Sequence, residues 1–198
     1  LFTITSLSDS TYKQNSILSK LDPDLVKKIV LVLENCTKRG INMVPFSGLR
    51  SPMSQGTIWK QGRKKSDIDK KIEELKKEEC DFLASCIENS PAPAQGNIVS
   101  NAIPGLSWHQ LAAAVDCMWF FNGQIVNFAD ESRIINGKEV QGYYVYAQIV
   151  VDHGLTSGGF FQNIKDYPHA QLCPEGNPLI KYGSLKKINN IIAKKQKR

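Results

Sequence analysis

The sequence has no apolar run approaching the ~20 residues that a membrane-spanning helix needs; the strongest stretch, residues 29–33, is far too short. It has no Cys-x-x-Cys pair, and its cysteines are odd in number: Cys36, Cys80, Cys86, Cys117 and Cys173. That argues against a disulfide framework and against a structural zinc knuckle, leaving a single disulfide in an oxidising compartment open. Several signatures are missing: His-Glu-x-x-His, the His-x-Glu with Pro-Cys-x-x-Cys of zinc deaminases, a glycine-rich phosphate loop and a Gly-x-Ser-x-Gly elbow. No internal repeat and no second domain stand out. Histidine is scarce, with only His109, His153 and His169.

What is present has globular composition: 198 residues, 41% hydrophobic and 22% charged, the size of one ordinary domain. The chain begins at Leu1 rather than Met, so a targeting segment is not legible and any export has to be argued from substrate. The net charge of +6 and pI near 9.0 suit polyanionic surroundings, whether nucleic acid, anionic lipid or a wall carrying phosphate polymers. The basic residues gather at 60–77 and 186–198, however, where a lysine-rich helix and a frayed tail are read as solvated surface. No nucleic-acid motif accompanies them, and no specific nucleic-acid partner is expected.

Residues 1–20 are rich in Ser and Thr and read as a loosely held arm. Asp22-Pro23 reads as a helix cap followed by proline at the first helical position, and Leu25, Ile29, Val32 and Leu33 supply the apolar stripe. Gly40 ends that helix, and 41–46 reads as a strand. Helices are expected over 54–61, over 66–87 as one long charged element, and over 143–153. Residues 89–97 form a loop; 115–121 is a buried strand, and Asn122-Gly123 after it signals a hairpin. Helices and short antiparallel strands in this order predict an α+β domain over 21–185, with a helical insertion at about 64–96 and a basic C-terminal tail at 186–198.

Two histidines sit beside carboxylates. His109 lies seven residues before Asp116, and Asp166-Tyr167-Pro168-His169 joins an acid to a histidine through a proline that disfavours helical geometry at Tyr167. On the 115–121 strand, Asp116 points away from Val115 and Cys117, and a carboxylate in so apolar a run needs a partner. A cation shared with His109 is one reading; an Asp holding a backbone turn beside an ordinary packed histidine is the other, and spacing alone does not separate them. Catalytic zinc takes three protein ligands and leaves a position for water. His109, Asp116 and His169 would supply two imidazoles and a carboxylate, and Asp166 is the candidate general base. His153, next to Asp152, competes as third ligand but stands at a helix end, where it complements the helix dipole.

Together these residues resemble peptidase family M15, the peptidoglycan D-Ala-D-Ala carboxypeptidases and L-Ala-D-Glu endopeptidases. Ser107, His109, Ala114 and Asp116 match its Ser-x-His-x-x-Gly-x-Ala-x-Asp block, and Asp166 with His169 its acid-x-x-His block. Gly48-Leu49-Arg50-Ser51 is similar to Gly-Tyr-Arg-Ser. Gln55, Trp59, Gln61, Gly62 and Arg63 follow Gln-x-x-x-Tyr-x-Gln-Gly-Arg, and Gly154-Leu155 with Gly158-Gly159 echo Gly-Leu-x-Trp-Gly-Gly. Ala112 stands in place of Gly, Leu49 of Tyr, Ser157 of Trp, and Ala170 where Phe is common.

The resemblance implies a Hedgehog/DD-peptidase-like fold, a small antiparallel sheet packed against helices. It implies Zn2+ held by His109, Asp116 and His169, Asp166 as base, and Arg50 polarising the scissile carbonyl, with Ser107 and Gln55 near the substrate. The activity implied is hydrolysis of peptidoglycan stem peptides, leaning toward the L-Ala-D-Glu endopeptidase branch, by a monomer acting in the periplasm or cell wall. A D,D-carboxypeptidase or dipeptidase of the same family, or a non-catalytic zinc-stabilised binding module, are the alternatives.

Overall fold

A computed structural model describes residues 15–91, 95–126, 131–162 and 165–196. In chain order these form helix α1 (Pro23–Lys38), strand β1 (Asn42–Ser47), helices α2 (Pro52–Lys60), α3 (Lys65–Lys77) and α4 (Asp81–Glu88), then strands β2 (Ala114–Phe121), β3 (Gln124–Ile125), β4 (Arg133–Ile135) and β5 (Lys138–Val140). Helix α5 (Gly142–Asp152), strands β6 (Thr156–Ser157) and β7 (His169–Gln171), and helices α6 (Pro178–Tyr182) and α7 (Leu185–Gln196) complete the order. The mixture is α+β, as expected. The described residues divide into two compact units, one running to Leu49 and again over Ala112–Pro174, the other covering Arg50–Leu111 and the chain from Glu175. The second unit is discontinuous in sequence, so no linker announces it.

The first unit is built on an antiparallel sheet in the order β1-β2-β7-β6, with β3 paired to β2. Along β2, Val115, Cys117 and Trp119 are fully buried while Asp116, Met118 and Phe120 are half-buried, the period-2 alternation of a strand with one face on the core. Helices α1 and α5 share that core through Leu25, Ile29, Leu33, Tyr146 and Val150. Asp22 caps α1 by accepting from the Asp24 amide at 2.9 Å, with Pro23 behind it. The helix stops in a Schellman arrangement: Gly40, at φ +76°, donates to the Thr37 carbonyl and Ile41 to that of Cys36, both at 2.9 Å. The Asn122-Gly123 hairpin forms, both residues having positive φ (50° and 79°), the signature of a type I′ turn. All five cysteines are buried.

Most of the N-terminal arm, residues 1–14, lies outside the described residues. The described end of it is held: Leu18 is completely buried, and Asn15 Oδ1 accepts from the Ile17 and Leu18 amides at 2.9 and 3.1 Å.

The second unit is helical around Trp59, Leu75, Cys80, Leu83, Ile87 and Ile103. Residues 66–87, expected as one helix, are two. Glu79 takes φ 56°, its amide bonds the Lys76 carbonyl at 3.1 Å, and the Cys80 amide bonds that of Leu75 at 2.8 Å. This is again a Schellman stop, with Leu75 and Cys80 supplying its apolar contact, but on a non-glycine residue that leaves no mark in the sequence. The C-terminal segment is also not frayed over its described length. Helix α7 buries Ile188, Asn189 and Ile192, and Asn189 Oδ1 accepts from the Leu83 amide at 3.1 Å. That bond caps α4, whose N-cap residue Cys80 spends its thiol on the Glu78 carbonyl and not on the helix. Leu185, Ile188 and Ile192 form a stripe at helical spacing that the surrounding lysines mask in a reading by charge.

Candidate metal centre

Asp116 and His169 face one another across the β2–β7 ladder, with Val115 opposite Ala170 and Ala114 opposite Gln171. Side chains two apart share a face, so Asp116, His169 and Gln171 lie together on one side while Val115 and Ala170 go to the core. His169 is 7% exposed and Gln171 1%. Tyr167-Pro168 makes the turn into β7: the His169 amide bonds the Asp166 carbonyl at 3.1 Å, and the Pro168 carbonyl accepts from the Cys117 amide at 2.9 Å. Gly158 lies directly beneath this turn. A Cβ there would come within 2.3 Å of the Asp166 carbonyl oxygen and 2.8 Å of the His169 Cβ, so only glycine lets the two segments approach.

His109 sits in the 3-10 turn Trp108–Leu111 and is 3% exposed. The turn is anchored where the Trp108 indole donates to the Glu175 carbonyl at 2.8 Å and the Gln110 amide to the Ser107 carbonyl at 3.1 Å. The Arg50 amide donates to the His109 carbonyl at 3.1 Å. The Arg50 guanidinium donates to Gln55 Oε1 at 3.1 Å, and Gln55 is fully buried, its amide nitrogen donating to the Ala102 carbonyl at 2.7 Å and to Ser100 Oγ at 3.2 Å. Gln55, expected near substrate, is thus committed to holding Arg50. Ser107 is half-buried and Asp166 exposed. His153 bonds the Ile149 carbonyl at 2.8 Å and Asn35 at 3.1 Å, the helix-end role assigned to it from sequence.

Of the three ligands expected from the sequence, the β2–β7 ladder brings Asp116 and His169 together within the first unit, and His109 belongs to the second.

The hydrogen bonds of His169 test whether these residues fit a metal. Its Nε2 lies 2.9 Å from Gln171 Oε1 and its Nδ1 3.2 Å from Asp116 Oδ1. An imidazole that gives its Nε2 proton to Gln171 turns a bare Nδ1 lone pair toward a carboxylate oxygen. Two acceptors at that distance need a cation with them, a proton or a metal ion. Accordingly, although burial opposes charge on His169, the bond to Asp116, the charges of Asp116 and Asp166 and the bond to Gln171 together lift its pKa above the usual 6.5. The donor set, two imidazoles and a carboxylate, fits a divalent ion of zinc type. Gln171 was missed in the sequence; its only signal was the His-x-Gln spacing, which has meaning once residues 169–171 are known to be a strand.

The chain is similar to proteins already known. The family described as "VanY: D-alanyl-D-alanine carboxypeptidase" matches residues 18–134, more than half of the chain. The peptidoglycan L-alanyl-D-glutamate endopeptidase CwlK of Bacillus subtilis (strain 168) is 24% identical over 168 residues, covering 84% of this chain and 82% of that protein. The crystal structure of the Serratia marcescens L-Ala D-Glu endopeptidase ChiX is similar over 90% of this chain and 99% of that one, at 18% identity and a TM-score of 0.42. The chain belongs to the D-alanyl-D-alanine carboxypeptidase (VanY) family, the M15 peptidases of peptidoglycan.

Proposed function

We propose that the chain is a zinc metallopeptidase that hydrolyses an amide bond in peptidoglycan stem peptides, acting as an L-Ala-D-Glu endopeptidase in the periplasm or cell wall. What supports the metal most is the confrontation of His169 Nδ1 with the Asp116 carboxylate at 3.2 Å. The bond specificity draws support from a relative named for L-alanyl-D-glutamate cleavage that is matched over most of both chains. The family description favours a second reading, a D,D-carboxypeptidase.

His109, Asp116 and His169 would hold the ion, which supplies Lewis acidity and lowers the pKa of a water toward ~7. The protein's own groups do the rest. Asp166 takes the proton of the attacking water and passes it to the leaving amine, one carboxyl serving as base and then acid. Arg50, aimed by the buried Gln55, holds the developing oxyanion, and an interaction made in the transition state raises kcat rather than merely binding substrate. Ser107 assists in orienting the substrate.

The test is metal content and turnover on purified wall fragments before and after chelation, with mass spectrometry of the products. The expected result is about one zinc per chain, loss of activity on chelation, and cleavage between L-Ala and D-Glu. Release of free D-Ala alone would move the assignment to the carboxypeptidase reading; full activity in metal-free protein would end the metal assignment.

A further inference from the structure

We propose that Gln171 is a positioning residue that holds His169 as its Nε2–H tautomer and so presents Nδ1, beside Asp116, to the metal. The inference rests on the metal assignment above, but its geometry lies wholly within the β2–β7 ladder and the residues after it.

A glutamine amide is ambiguous until its other bond is known. Here it is known: one terminal atom of Gln171 lies 2.7 Å from the Cys173 carbonyl oxygen, which only accepts, so that atom is the amide nitrogen. The atom 2.9 Å from His169 Nε2 is therefore Oε1, which only accepts as well. The proton between them belongs to the imidazole. With Gln171 1% exposed and His169 7% exposed, no bulk water competes for these bonds, and reversing the amide would set Gln171 Oε1 against the Cys173 carbonyl, two acceptors in a buried site.

Without that acceptor the site has an easier resting state. A neutral His169 protonated on Nδ1 would give its proton to Asp116 Oδ1 at 3.2 Å, and the two prospective ligands would satisfy each other. Gln171 works against this self-neutralised pair. By holding the proton on Nε2 it leaves two lone pairs directed at the same point, which a cation resolves. This is how an outer hydrogen-bond partner sets tautomer, ring orientation and basicity of a metal-bound histidine. The strand delivers the arrangement without further machinery, because His169 and Gln171 are two residues apart on one face of β7 and Asp116 stands opposite His169.

Two measurements test it. In metal-free wild-type protein at alkaline pH, 15N spectra of the imidazoles should show His169 protonated on Nε2 with Nδ1 bare; an Nδ1–H tautomer would overturn the lock, and no variant is needed for this arm. Zinc affinity by chelator competition should fall 10- to 100-fold in Gln171→Leu and stay within about tenfold of wild type in Gln171→Glu, which keeps an acceptor toward His169, with circular dichroism reporting the fold of both. Equal zinc affinity in Gln171→Leu and wild type overturns the proposal, and so does Gln171→Glu falling as far as the leucine variant. A wild-type chain that shows the Nε2–H tautomer yet takes up no zinc overturns the metal half here together with the proposed function, whereas a zinc-binding chain with the Nδ1–H tautomer overturns the lock alone.

Discussion

Ala112 joins the His109 turn to β2 with φ +62°, a left-handed conformation that an L side chain adopts at a cost of roughly 1–2 kcal/mol. It is the position where the family pattern carries glycine, and the backbone explains why. Ala112→Gly should raise stability by about 0.5–1 kcal/mol, the relieved strain being partly offset by the loss of one partly buried methyl. Urea unfolding measures the change, and unaltered zinc affinity is expected because no ligand is touched. Asp166 poses a different question at the same scale. It is exposed, and its main chain pins the turn into His169. Asp166→Asn should therefore leave zinc content unchanged and lower kcat by about 10²–10⁴-fold, the span of general acid–base catalysis; zinc loss in that variant would make Asp166 part of the metal's support instead of the base.

Among the elements, α7 changes meaning most between sequence and structure. Its lysines make it look like a solvated tail, yet it brings Ile188 and Ile192 into the helical core and places Asn189 over the start of α4. Asn189→Ala removes a buried partner from the Leu83 amide and should cost about 1–2 kcal/mol, as a lost helix cap does, read as a lower midpoint in chemical denaturation. The expected long charged helix at 66–87 breaks because Leu75 and Cys80 both reach the core of the helical unit, and the chain can do that only by turning at Glu79. On α3 the charges do what their mixed pattern suggests: Lys65 pairs with Asp69 at 2.7 Å and Lys71 with Glu74, all on exposed or half-exposed side chains, where such pairs add little.

Across the whole molecule the thiols give a global readout. Burial raises Cys36 and Cys117 to about 12 and Cys86 to about 11, from 9.0 for a free thiol. A thiol whose pKa is higher folded than unfolded keeps its proton in the native state while the unfolded chain gives it up. The thiols' contribution to stability is therefore fully retained below about pH 9 and falls progressively as pH rises from there toward 12. The native protein should resist thiol-modifying reagents at neutral pH, with all five cysteines reacting only in denaturant. Rapid labelling of a native thiol, or unfolding midpoints that hold steady between pH 8 and 10, would contradict this.

The sequence by itself determined what local chemistry can determine: the α+β class from period-2 and helical stripes, the Asn122-Gly123 hairpin and the Asp22-Pro23 cap, while the candidate ligands His109, Asp116 and His169 came from the ordered motifs of the family it resembles. Tertiary structure alone decided the rest. Whether an Asp in an apolar strand meets a histidine depends on β2–β7 register, set by pairing between segments more than 50 positions apart. That Gln171 addresses His169 follows from a three-residue strand too short to leave a periodic signal. The helical unit and the docking of α7 depend on burial summed over segments distant in the chain, a quantity no local window contains.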